Sequence, residues 1–342
     1  MNADTPNILL IRFSSIGDIL LTTPFIRQIR TKFPGANIRF ITKDKFTALV
    51  QYNPMLDEVI GFDDSSGVRG IRQIASALSS VTFDFVFDLH DNQRSHLLTR
   101  MIKRRYLSRL KKHRIRRAAY VYAKRPTTLR PVALRYMDTG AIADIPDTGE
   151  GLELFIPPET TNIIQQRLQD FAPYICLAPG AGFATKMWPA AYWTKLAQNI
   201  LDKSTLKLII VGGPADHKQI NLNSPRVLNL AGELSLLESA AIIKSSQGII
   251  CNDSGLMHMA AAVGTPITAI FGGTTPELGF APFRAKASIV QAPELWCRPC
   301  SHMGRKGCPL GHFKCMQRVR IDVVLRTADF LLHDAEKPSG EG

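Results

Sequence analysis

No stretch of this 342-residue chain is apolar over the ~18–20 residues that a membrane-spanning helix needs. The amino terminus, MNADTPN, runs directly into strand-like residues, with neither a basic leader nor an apolar leader core, which predicts no secretion signal. No repeat or low-complexity tract interrupts the chain before the final EKPSGEG, which reads as a disordered tail over 336–342. These absences exclude a helical membrane protein or a fibrous one and predict a cytoplasmic location. In that compartment six cysteines read as thiols or metal ligands before disulfides. A hydrophobic content of 45% against 21% charge supports a core in each of two domains of about 150 residues.

One absence is local. Between Asp91 and Asp138 there is no acidic residue, while fifteen Lys and Arg fall there. The densest part, KRRYLSRLKKHRIRR (103–117), reads as basic and helical within a helical stretch from Ser95 to about Tyr136. A one-signed block of this length fits a polyanion, whether nucleic acid, anionic membrane or a phosphorylated substrate, better than a merely solvated face. No aromatic stacking set or nucleic-acid motif accompanies the arginines, so no nucleic-acid partner is expected. The D-x-D spacing of a metal-dependent sugar transferase is also absent, since DLHD (88–91) is spaced differently.

What is present is an alternation of strand and helix. Strand-like runs at 8–13, 38–42, 58–61 and 83–89 are separated by amphipathic stretches at 16–32, 46–51 and 68–80. After a polar, Gly- and Pro-bearing joint at 138–159, a second series follows, with strands at 174–178, 206–211, 227–229, 248–251 and 266–271. Helical patterns fill its gaps at 190–202, 215–223, 234–244 and 255–263. Short apolar strands separated by helices predict parallel sheets built from βαβ units. The fold class is therefore α/β, with two Rossmann-like doubly wound domains, 1–160 and 161–320, facing a central cleft. A carboxy-terminal helix at 321–335 is expected to pack back toward the first domain.

In open parallel sheets ligands bind beyond the carboxyl ends of the strands, so the strand-to-helix turns carry the chemistry. RFSSIGDILLTTP (12–24) stands where a phosphate loop is usual, yet it has one glycine, Gly17, followed by an acid, Asp18. LAPGAGFATKMWP (177–189) combines Gly180, Gly182 and Lys186 at one turn, a cradle for a diphosphate. VGGPADH (211–217) repeats the plan, with Gly213 and then Asp216 in the first turn of a helix. NDSGLMHMAAAVG (252–264) ends a strand on Asp253, Ser254 and Gly255 and places His258 one helical turn after Ser254. Asp253 and Ser254 could equally be plain helix caps. Gly272 opens a further flexible, hydroxyl-bearing loop.

Taken together, SSIGDILLTTP, FDLHDNQRS, APGAGFATKMWP, NDSGLMHMAAAVGTP and the late CRPC…GCPLGHFKCM resemble the glycosyltransferase family 9 heptosyltransferases, over nearly the whole chain. The resemblance implies a GT-B fold and an inverting transfer of heptose from ADP-heptose to the inner core (the Kdo/heptose region) of lipopolysaccharide, with no cofactor and no metal required. It makes Asp18 the general base. It assigns Lys186, Asp216, Asp253, Ser254, Gly255 and His258 to the donor, and the glycine-rich loops add Gly180, Gly182, Gly213 and Gly272 to that set. For the acceptor, the turn that holds Asp18 offers Ser14, Ser15 and Gly17, and charge adds Arg94, Arg104, Arg105, Lys111 and Lys112. The basic surface would then meet the phosphorylated, acidic acceptor and hold the enzyme peripherally on an anionic membrane. A relative with another nucleotide sugar or a later acceptor, and a non-catalytic nucleotide-sugar or polyanion-binding protein, stay open as alternatives.

Cys297, Cys300, Cys308 and Cys315 follow a C-x2-C-x7-C-x6-C spacing. Its first pair suits Zn2+ or an iron–sulfur centre, with His302 and His312 nearby; reduced thiols and disulfides remain open as well. Cys176 and Cys251 read as buried strand residues. Trp188, Trp193 and Trp296 read as packing residues, and His90 and His96 as local hydrogen-bonding ones.

Overall fold

The computed structural model describes residues 5–333. The tail expected at 336–342 lies outside them. The chain divides into two compact units. One runs up to Lys112 and includes Arg130–Phe155; the other holds His113–Leu129 and continues from Ile156. The boundary thus falls slightly before the expected 160, and the basic block is split between the units.

In the first unit the order is β1 (Asn7–Ile11), α1 (Ile16–Leu20), α2 (Thr23–Lys32), β2 (Asn37–Lys43), β3 (Glu58–Phe62), α3 (Gly67–Ala77), β4 (Thr82–Asp88), α4 (Gln93–Met101) and β5 (Lys103–Arg109). Its sheet runs β3-β2-β1-β4-β5, with every pairing parallel. Ile8, Leu9, Leu10 and Ile11 are all fully buried, as a parallel strand covered on both faces requires. Ile71, Ile74, Ala75 and Leu78, at helical spacing, pack with Leu9, Ile11 and Val86 on one face. After α5 (Arg114–Tyr122), which belongs to the second unit, α6 (Val132–Met137) returns to the first.

The second unit adds α7 (Pro158–Arg167), β6 (Tyr174–Ala178), α8 (Ala190–Lys203), β7 (Lys207–Ile210), β8 (Val227–Asn229), α9 (Leu236–Ser245), β9 (Ile249–Asn252), α10 (Gly255–Ala262), β10 (Ile267–Phe271), β11 (Ala287–Gln291), α11 (Lys314–Gln317), α12 (Ile321–Thr327) and α13 (Asp329–His333). Read from its first strand, the sheet order β8-β7-β6-β9-β10-β11 is the 3-2-1-4-5-6 of a dinucleotide-binding fold. Trp193, Leu196, Ala197, Ile200 and Leu201 of α8 cover Ile175, Leu177, Leu208 and Ile210.

Three expectations are corrected. The most basic segment is helical only from Arg114: Lys103–Arg109 pairs with β4 as an edge strand, a position where charged side chains keep a sheet from adding further strands. Residues 215–223 form no α-helix, only a short turn at Pro214–Asp216. The described carboxy-terminal helices belong to the second unit, where Val324, Ala328 and Leu331 join the core. Trp188 and Trp193 are buried as expected, whereas Trp296 is 77% exposed.

Candidate active site

Each sheet has its strand order reverse at the pair β1/β4 or β6/β9, and the loops beyond those carboxyl ends hold the polar residues.

In the first unit Arg12 directly follows β1, and the chain turns through Ser15 into α1, whose third residue is Asp18. Arg12 is 8% exposed. It donates Nη1 to the carbonyl of Leu89 at 2.7 Å and sets Nη2 2.7 Å from Asp18 Oδ1. The Ser15 hydroxyl and amide both donate to Asp18 Oδ2, at 2.8 and 3.3 Å. Tyr136 donates to Oδ1 at 3.4 Å, with its ring against the Arg12 guanidinium. Burial alone would push the Asp18 carboxyl up; the Arg12 charge and the Ser15 hydrogen bonds outweigh it and hold the group below its ordinary range. Asp18 is therefore an oriented carboxylate that stays ionised at neutral pH.

The loop after β4 is built on Asp88, which is fully buried. It accepts from the amides of His90 and Asp91 and from the Ser95 hydroxyl at 2.8 Å. His90 packs on the Phe13 ring, and burial with the Arg12 charge pushes it down to about 3, leaving it neutral. His96 bonds Asp91 at 2.7 Å. Of the expected acceptor residues, Ser14, Ser15 and Gly17 lie at this end of the sheet. Lys112 reaches Asp91, and Arg94 shares Asp64 with Lys43. Lys111 is exposed.

Arg104 and Arg105 are not brought here. The register Phe83↔Arg104 puts them at the amino-terminal end of β5, away from the Ile11↔Asp88 end. Arg104 is spent on the carbonyl of Thr99 and Arg105 on Asp84. The β5 arginine at the carboxyl end is Arg109, 3.6 Å from Asp88, which sequence reasoning passed over.

In the second unit four loops converge. Lys186, in the turn after β6, lies 2.8 Å from Asp253 Oδ2. The Thr274 hydroxyl donates to that oxygen at 2.6 Å, and Asp253 is 3% exposed. Asn252 ties the same loops together by donating to the carbonyl of Pro179 and accepting from the Trp188 amide. Asp253 is thus an ion-pair partner; Ser254 is the N-cap residue of α10 and makes no side-chain cap bond. His258 is buried in α10.

Asp216 accepts from the Gly213 amide at 2.8 Å, and burial pushes it above the ordinary carboxylate range against that bond. A Cβ on Gly180 would fall 2.0 Å from its carboxylate and one on Gly212 2.6 Å, so glycine is required where two loops close around this acid. Gly272 lies against Met316. Gly182 and Gly255 stand in the same loop set, with no close neighbour at Gly182. Besides Arg109, sequence reasoning missed Tyr136, which lies far from Asp18 along the chain; Thr274 was read only as part of the hydroxyl-bearing loop that Gly272 opens.

Two doubly wound units, with polar loops at both switch points, follow the GT-B plan of sugar-nucleotide transferases. A glycosyl transferase family 9 structure from Veillonella parvula superimposes with a TM-score of 0.81 at 23% identity, covering 98% of this chain and 99% of that one. The Escherichia coli ADP-heptose lps heptosyltransferase II matches with a TM-score of 0.74 at 20% identity, over 97% of this chain and 100% of that one. Residues 71–310 match the model of glycosyltransferase family 9 (heptosyltransferase), and the chain belongs to that family. It is 24% identical to lipopolysaccharide heptosyltransferase 1 of Pseudomonas aeruginosa, over 86% of this chain and 85% of that protein.

Proposed function

We propose that this enzyme transfers heptose from ADP-heptose to the inner core of lipopolysaccharide with inversion at the anomeric carbon. The observation that carries the reading is the Asp18 carboxylate, kept ionised by Arg12 and aimed by Ser15 at the carboxyl end of the first sheet. In the proposed step an acceptor hydroxyl attacks the anomeric carbon and the bond to the diphosphate oxygen breaks. The hydroxyl proton passes to Asp18, and ADP leaves with the bonding pair. A base this weak suffices because proton transfer accompanies attack. Lys186 and the loop amides of the second unit supply positive potential for the departing diphosphate, and Asp216 is suited to accept hydrogen bonds from the nucleoside. No cofactor or metal takes part in this scheme.

The relatives support donor and acceptor class alike: that of Pseudomonas aeruginosa is a lipopolysaccharide heptosyltransferase, and that of Escherichia coli is described by ADP-heptose. The direct test measures ADP release with ADP-heptose against a panel of progressively truncated core acceptors. Turnover should appear only with acceptors that retain the Kdo/heptose region. Equal turnover with another ADP-sugar, or none with any core acceptor, would refute the assignment and favour a different donor or a non-catalytic binder.

No described helix is long and apolar enough to cross a membrane, and the proposed location is peripheral on the cytoplasmic face of an anionic one. Helix α5 supports this: Ile115 is 86% exposed and Tyr122 71% exposed, set among Arg114, Arg116, Lys124 and Arg125. Apolar side chains between cations on one short helix suit an anionic lipid interface. Ile115→Glu with Arg116→Glu should abolish co-sedimentation with phosphatidylglycerol vesicles. Undiminished sedimentation would remove α5 from membrane binding.

A further inference from the structure

The loop after β4 holds one polar side chain that the protein itself leaves without a partner. Its neighbours are all committed. His96 bonds Asp91 at 2.7 Å, the Asp88 carboxylate accepts from two amides and from Ser95, and Lys112 reaches the Asp91 carbonyl. The His90 ring makes no such bond, and its Nδ1 is buried and unpaired. Buried polar atoms are nearly always satisfied, so an exception beside an ionised acid at the carboxyl end of the sheet calls for a physical reason.

The ring is nevertheless held firmly. The His90 amide is fixed on Asp88 at 3.1 Å. The imidazole packs on Phe13, with centroids 5.0 Å apart, and Phe13 is itself buried edge-on against Phe62 at 4.9 Å. Arg12 joins this loop to the turn that carries Asp18. Its Nη2 lies 2.7 Å from the Asp18 carboxylate, and its Nη1 donates at 2.7 Å to the carbonyl of Leu89, the residue before His90. One guanidinium therefore sets imidazole and carboxylate relative to each other. Arg12, Lys112, Asp18 and Lys43 all stand near enough to act on the ring electrostatically, and burial with the three cations keeps it neutral. A neutral imidazole has one N–H and one lone pair. Orphaned buried N–H groups are rarer than under-satisfied acceptors, so the lone pair belongs on the sealed Nδ1 and the proton on Nε2.

We propose that His90 is an acceptor-binding residue whose Nε2–H donates to the oxygen next to the hydroxyl that Asp18 deprotonates, so that the two side chains read neighbouring oxygens of one acceptor sugar. The proposal rests on the role given to Asp18 above. It accounts for a neutral histidine at this position: an imidazolium would be one more cation beside Arg12 and would draw on the same carboxylate, weakening the base. It also makes the residue a source of specificity. An acceptor without the neighbouring oxygen leaves a fixed N–H unpaired, and a site built to hydrogen-bond a hydroxyl rejects the analogue that lacks it.

The experiment compares His90→Phe, His90→Asn and His90→Gln in the full chain, with the shortest truncated core acceptor that the wild type uses. Phenylalanine keeps the packing on Phe13 and removes both nitrogens. The asparagine amide reaches only the Nδ1 position, whereas that of glutamine reaches the Nε2 position. His90→Phe and His90→Asn should raise the KM for the acceptor about five- to tenfold, the worth of one hydrogen bond, with the KM for the nucleotide sugar within about twofold. His90→Gln should stay within about threefold of the wild type on both. A purely structural role predicts the opposite order, with phenylalanine the mildest change. A wild-type acceptor KM in His90→Phe, or glutamine no better than asparagine, would overturn the proposal. Should His90→Phe not fold, the comparison of glutamine with asparagine decides. Histidine 15N spectra of the free enzyme should show His90 as the neutral Nε2–H form between about pH 6 and 8, and an Nδ1–H form would equally overturn it. If the wild type turns over no core acceptor, the function proposed above fails, while the 15N spectra, recorded without substrate, still decide whether His90 offers the donor.

Discussion

Asp18→Asn is expected to lower kcat by about 10²–10⁴-fold, the range for loss of a general base, while ADP binding stays within a factor of about two. The amide keeps the size of the carboxylate, and its one oxygen can still accept from Arg12 and Tyr136, on the Oδ1 side, so the turn into α1 should persist. Asp18→Ala is a poorer probe. Both variants remove the 2.7 Å counter-charge of the Arg12 guanidinium, which is 8% exposed, but Ala also removes every acceptor, and breaking one side of a buried pair outright costs about 3–5 kcal/mol. Binding should survive because the loops proposed to hold the nucleotide belong to the second unit.

The pH profile supplies an independent check. A carboxyl held below its ordinary range is ionised throughout the neutral region, and its contribution to stability is present above its unfolded value and lost only as pH falls through the lower folded one. His90, pushed down to about 3, is neutral over the same span. Hence kcat/KM should show no acid limb near the ordinary histidine value of about 6.5. Near-normal turnover by Asp18→Asn, or an acid limb there, would give the proton to another group.

Much of this arrangement was legible in the sequence because parallel strands buried on both faces are written as plain apolar runs. Ile8–Ile11 and Tyr174–Ala178 declare themselves, and the acid and glycines at their ends mark the switch points. The strand Lys103–Arg109 did not, because an edge strand is defended by charge and its lysines and arginines mask any alternation. Nor did the absence of a helix at 215–223, where Ile220 is the one buried apolar anchor and the Asp216 side chain turns back to Gly213. Sequence placed Arg104 and Arg105 with the acceptor by charge alone; parallel register sent them to the far end of the sheet. Asp18 was readable, but the groups that govern its ionisation were only half so. Arg12 is close in sequence, whereas Tyr136 arrives through α6, and no periodicity announces that contact.

Lys186→Met is expected to produce the second large effect, a loss of about 10²–10³-fold in kcat/KM with most of it in kcat. A preorganised cation aimed at charge that grows as the diphosphate departs contributes more to the transition state than to bound donor. The substitution also strands Asp253, 3% exposed, with Thr274 as its remaining close partner, so the folded state should lose stability. That loss can be separated from catalysis. Lys186→Met combined with Asp253→Asn removes the uncompensated charge and should recover most of the lost Tm while leaving kcat low. If the double variant recovers turnover along with Tm, Lys186 serves only to neutralise Asp253, and the diphosphate must draw its positive potential from the loop amides. If kcat stays low at restored stability, the lysine acts on the leaving group itself.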